Sequence, residues 1–84
     1  MKSLHLIRKT TDPLAFEAMT NERRQRAVAL LLIQDGVLAK GDFPEETYAC
    51  AEDLIARGVT RPYKAIGYPE IARLISECDR VIVW

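Results

Sequence analysis

Apolar residues fall in short clusters whose spacing switches between strand and helix several times along the chain. Leu4 to Ile7 fits a first strand. Thr11-Asp12-Pro13 predicts a helix start, because Thr11 or Asp12 can cap and Pro13 suits a first helical turn. Leu14, Ala15, Phe16, Ala18 and Met19 continue that helix, and the polar stretch Thr20 to Arg26 reads as a connector or a frayed end. Ala27 to Ile33 is an unbroken run of seven apolar residues. A run this short and this continuous predicts a strand buried on both faces, as in a parallel sheet. Gln34-Asp35-Gly36 ends it with turn chemistry. Val37 to Lys40 predicts a short helical turn, and Gly41-Asp42-Phe43-Pro44 breaks the chain again. Glu46 to Cys50 reads as a third strand. Glu52 to Arg57 reads as a helix closed by Gly58, a residue type that commonly ends helices. Tyr63 to Ile66 makes a short fourth strand. Pro69 to Glu77 makes a helix with Ile71, Leu74 and Ile75 on one face. Arg80 to Trp84 makes the last strand.

Alternation of this kind predicts an α/β class: one small domain over 1–84, with a mostly parallel sheet of about five strands flanked by short helices. Sites in such sheets lie beyond the carboxyl ends of the strands. Two segments are expected there, Gln34-Asp35-Gly36 and the junction at Cys50.

Composition narrows the function classes. The chain has 84 residues, 49% of them hydrophobic. A domain of this size buries only about 60% of its unfolded surface, which makes assembly with partners or copies of itself an expectation. Twelve Lys and Arg balance twelve Asp and Glu, without the basic excess of a nucleic-acid binder. The longest apolar run is far below the roughly 20 residues of a membrane span. Met1 to Lys9 has neither the apolar core nor the cleavage site of a signal peptide. A cytoplasmic, membrane-free protein is the expectation, and in that compartment two cysteines read as free thiols. They stand 28 positions apart and the one histidine, His5, is distant from both in sequence, so neither a metal site nor a cofactor is expected.

Cys50 is the residue most suited to chemistry. It ends a predicted strand and directly precedes a predicted helix, whose free N–H groups and positive dipole end stabilise a thiolate. Glu52 and Asp53 work against this by raising the thiol pKa. Cys78 stands near a helix C-terminus, where the dipole disfavours a thiolate, and reads as structural. If the strands are parallel, the two cysteines lie at opposite sheet edges, roughly 17 Å apart. A disulfide needs Cα atoms within about 7 Å. Cys50 is therefore expected to alkylate faster than Cys78. His5 reads as a satisfied, partly buried histidine. Arg57, Arg61 and Lys64 read as a solvated basic cluster, and Tyr68 and Trp84 as side chains suited to interfaces.

Several segments resemble one family. Leu32-Ile33-Gln34-Asp35-Gly36-Val37 is similar to the LLQDGV segment of the DsrH/TusB-type proteins. Tyr48-Ala49 followed by Glu52-Asp53-Leu54-Ile55-Ala56-Arg57-Gly58 is similar to their YAxxEDLIARG segment. Tyr68 with Glu70 to Leu74 resembles a further stretch, and the chain ends on Trp84 as many of them do. The resemblance implies a small doubly wound α/β subunit of a sulfur-relay complex, built of two copies each of three related subunits. Such complexes serve 2-thiouridine synthesis at the tRNA wobble position or dissimilatory sulfur oxidation. In the DsrE/TusD-type subunit a persulfide-forming cysteine precedes an Arg-Gly pair. Cys50, Arg57 and Gly58 have that spacing, whereas the DsrH/TusB type often has another residue in place of the cysteine.

Two hypotheses follow. In the first, Cys50 carries sulfane sulfur between a donor, such as a cysteine desulfurase or a small carrier protein, and an acceptor cysteine, with DsrE/DsrF-type subunits as partners. In the second, the chain is a non-catalytic structural subunit. A small homo-oligomeric binding protein using the carboxyl-edge crevice is a third reading.

Overall fold

Strand and helix alternate from end to end of the computed structural model, which describes all residues from Met1 to Trp84. The order is β1 (Lys2–Ile7), α1 (Pro13–Glu22), β2 (Ala27–Leu32), a 3-10 helix (Gln34–Leu38), β3 (Thr47–Cys50), α2 (Ala51–Arg57), β4 (Lys64–Ile66), α3 (Tyr68–Glu77) and β5 (Arg80–Val83). The strands form one sheet in the order β4-β3-β2-β1-β5, and every pairing is parallel. This is the predicted class. No helix is long and apolar enough to cross a membrane.

The unbroken apolar run of β2 has its reason in this order. Successive strand residues point to opposite faces, yet Leu30, Leu31 and Leu32 are all fully buried. The strand lies at the centre of the sheet with cover on both sides. Each such leucine contributes about 1.5–3 kcal/mol by leaving water. Leu30 and Leu32 join Ile7, Ala49 and Val37, with Ala15 and Met19 of α1 and Leu54 of α2. Leu31 joins Leu4, Leu6 and Ile66 on the other face, beneath Leu74 and Ile71 of α3.

The division of helices follows from handedness. The β1-α1-β2 and β3-α2-β4 units step in one direction along the sheet, while β4-α3-β5 returns across it. Parallel crossovers are nearly all right-handed. A step in the reverse direction with the same hand puts its helix on the opposite face, so α3 covers one face alone.

Local signals set most element ends. Asp12 caps α1 by accepting the Ala15 N–H at 3.2 Å, and Gly58 ends α2 in the left-handed conformation. Three details differ from the sequence reading. The helix α1 runs through Thr20 to Glu22 instead of fraying there, because Glu22 is held by partners on β1. The helical turn expected at Val37 to Lys40 begins at Gln34. Ile75, expected on the buried face of its helix, is 39% exposed; the single helix on that face buries Leu74 and packs the half-buried Ile71 against the sheet.

Candidate functional site

Adjacent strands β3 and β4 send their chains to opposite faces, β3 into α2 and β4 into α3. A crevice opens at the carboxyl ends of such a pair, which is where ligands of open α/β sheets bind. Cys50 is the last residue of β3 and pairs in register with Ile66, the last of β4. The sequence had pointed to this junction, and the fold makes it the switch point of the sheet.

Strand alternation turns Cys50 to the α3 side. There it lines a cavity of about 240 Å³, shared with Leu6, Leu31 and Ile33 below and Gln34, Asp53, Tyr68 and Ile71 around the rim. Its residue is only 1% exposed. Burial pushes the Cys50 thiol pKa up. The backbone N–H groups of Asp53 and Glu52, in the first turn of α2, pull the other way without making a cap hydrogen bond to the sulfur, but the Asp53 carboxylate beside the thiol adds to the rise. The net direction is upward, so Cys50 rests as a protonated thiol. The helix end alone contributes about 0.3–1 kcal/mol, too little to reverse burial and a neighbouring anion.

Asp53 is the hub of the rim, a role that its position in the first helical turn does not reveal. One oxygen accepts the Gln34 N–H at 2.8 Å. The other lies 3.5 Å from Arg57 Nη1, while Arg57 Nε donates to Asp35 at 2.9 Å. The guanidinium is thus spent on two carboxylates. Gln34, the only non-glycine residue with positive φ, at 51°, is held in that strained conformation by the same aspartate. Of Gln34-Asp35-Gly36, Gln34 is therefore part of the crevice wall, and the segment is more than a plain turn. Across the crevice, Tyr68 is 62% exposed, and the Glu52 carboxylate next to its hydroxyl raises its pKa.

The expected basic cluster does not form as one surface. Arg57 is paired as described, and Arg61 donates to the Ala39 carbonyl at 2.9 Å and lies over the Tyr63 ring. Cys78 caps the end of α3 before β5, at the amino edge of the sheet and away from Cys50; both thiols are free. Cys78 is the less buried of the two. Burial raises its pKa as well. His5 is 2% exposed, deeper than expected, with both ring nitrogens hydrogen-bonded. In comparisons with known proteins, no family model matches the chain and no curated protein matches it.

Proposed function

We propose that the chain is a subunit of a sulfur-relay assembly and that Cys50 holds the sulfane sulfur. One observation carries this reading. The Cys50 sulfur lies at the switch-point crevice, next to the first-turn backbone N–H groups of α2, which make no cap hydrogen bond to it at rest, and lines a cavity with room beside it. Those amides suit a terminal persulfide anion, and the apolar floor excludes the water that would compete for it. The resemblance to the DsrH/TusB-type proteins, with the Cys50, Arg57 and Gly58 spacing of the DsrE/TusD type, supports the same reading.

The step is a sulfur transfer without net oxidation. The Cys50 thiolate attacks the outer sulfur of a donor persulfide, the donor S–S bond breaks, and a Cys50 persulfide forms. The proton released by Cys50 goes to the donor's leaving thiolate. Because the resting thiol is protonated and covered, the transfer requires the crevice to open or a partner's cation to approach.

The test is mass spectrometry after incubation with cysteine persulfide. One added sulfur on Cys50, lost in Cys50→Ser and kept in Cys78→Ser, is expected. Sulfur on Cys78 alone, or on neither, overturns the carrier reading.

Burial of Cys50 favours a second reading, a non-catalytic subunit in which the thiol is packing. Cys50→Ser then lowers stability, and no sulfur label forms on the native chain.

A further inference from the structure

The largest cavity in the chain, about 410 Å³, lies away from Cys50, on the α1 face of the sheet over β1 and β5. That volume is within the range of small-molecule sites. We propose that it binds a small ligand combining an oxyanion, such as a phosphate monoester, with a flat apolar body.

The base of the cavity is built and closed to further bonding. Glu22 Oε1 takes His5 Nε2–H at 2.6 Å, and Oε2 takes the Ser3 hydroxyl at 2.6 Å. The other histidine nitrogen, Nδ1, accepts the Trp84 indole N–H at 2.9 Å, which assigns the tautomer that donates to Glu22. The His5 and Trp84 ring planes differ by 10° and their centroids are 6.0 Å apart. A hydrogen bond between ring edges with these values puts the two rings side by side in nearly one plane. Together they form a broad flat wall, continued by Ile82.

The rim is cationic and under-used. Arg26 Nε and Arg80 Nη1 stand 3.6 and 3.8 Å from Glu22 Oε2, outside hydrogen-bonding reach, because His5 and Ser3 hold the near positions. Arg26 otherwise has a weak bond to the Met1 sulfur. Two guanidinium charges against one carboxylate leave one positive charge in excess. Guanidinium donors in a fork match an oxyanion in bidentate fashion, and an aromatic wall beside them suits a planar body. The Arg80 side chain is 50% exposed, so its donors are open to an incoming ligand.

Trp84 is the only tryptophan and reports directly on this cavity. Phenyl phosphate titrated into the intact chain is expected to change its fluorescence saturably, with phenol giving no saturation over the same range. Arg80→Gln and Arg26→Gln are each expected to weaken binding roughly 10-fold, the effect of losing one charge-assisted contact, with a cooperative melt retained and lowered only slightly by the lost pairing with Glu22. A response that fails to saturate by about 10 mM, well above ordinary specific affinities, overturns the proposal. So does an equal response to phenol, or undiminished binding in both variants. None of these results bears on Cys50, which lies on the other face.

Discussion

Asp53 Oδ2 accepts the backbone N–H of Gln34 at 2.8 Å and so ties the first turn of α2 to the loop that follows β2. Asp53→Ala removes the acceptor from a backbone held at positive φ. The bond is exposed, so the expected loss is about 0.5–1.5 kcal/mol, the net worth of one hydrogen bond, read as a shift in urea midpoint. Asp53→Asn also removes the anion beside Cys50, so the thiol pKa falls and alkylation reaches its maximum at lower pH. An unmoved alkylation profile means that the carboxylate does not act on the thiol.

Gly36 and Gly58 separate contact from conformation. A Cβ at Gly36 would stand 2.0 Å from the Ile7 carbonyl oxygen, a backbone atom fixed within the sheet edge. Gly36→Ala is expected to destabilise the fold by about 3 kcal/mol, at the upper end of overpacking effects. Gly58 has open space around it but a φ of 61°, so Gly58→Ala costs about 1 kcal/mol. Equal effects in denaturant titrations would contradict the close approach at Gly36.

Glu22 predicts an acid limb in the stability profile. Burial raises its pKa, but hydrogen bonds from Ser3 and His5 and the charge of Arg80 outweigh it, and the net position is below the ordinary 4.5. A carboxyl depressed in the folded state contributes stability above its unfolded value, and loses it as pH falls through the lower folded value. Glu46, held by Lys2 and Tyr48 against a similar burial effect, acts in the same direction. Thermal melts are expected to fall on the acid side of 4.5, and Glu22→Gln is expected to start less stable with a flatter acid limb. A variant melt that falls as steeply as the parent's rules out this linkage.

Accessibility orders the thiols. Cys78 is expected to react with iodoacetamide before Cys50 in the folded chain, and both at similar rates in denaturant. Faster labelling of Cys50 would mean that the crevice opens readily without a partner.

Exposed apolar side chains predict self-association or a partner. Ile55 is 79% exposed and Val83 59%, and the α3 face carries one helix over five strands. Light scattering at micromolar concentration is expected to give a mass above one chain. A stable monomer with a cooperative melt contradicts the assembly.

Local sequence determined the elements and their type. The alternation of β2 and its neighbours with helices was legible because burial on both faces demands consecutive apolar residues, as at Leu30 to Leu32. The start of α1 at Asp12-Pro13 and the end of α2 at Gly58 were legible because capping and positive φ are satisfied within a few residues. The Cys50 junction was legible for the same reason, since a strand end and a helix start are adjacent there. What only the tertiary structure decided depends on partners distant in sequence. The last turn of α1 persists because Glu22 meets Ser3 and His5, 19 and 17 positions away. The strained Gln34 and the pairing of Arg57 depend on Asp53 and Asp35, brought together when α2 packs beside the 3-10 helix. The acidity of Cys50 was decided there too. A helix terminus acts through nearby backbone groups and can be read locally, whereas burial and the position of a neighbouring charge exist only once the chain has closed around the sulfur.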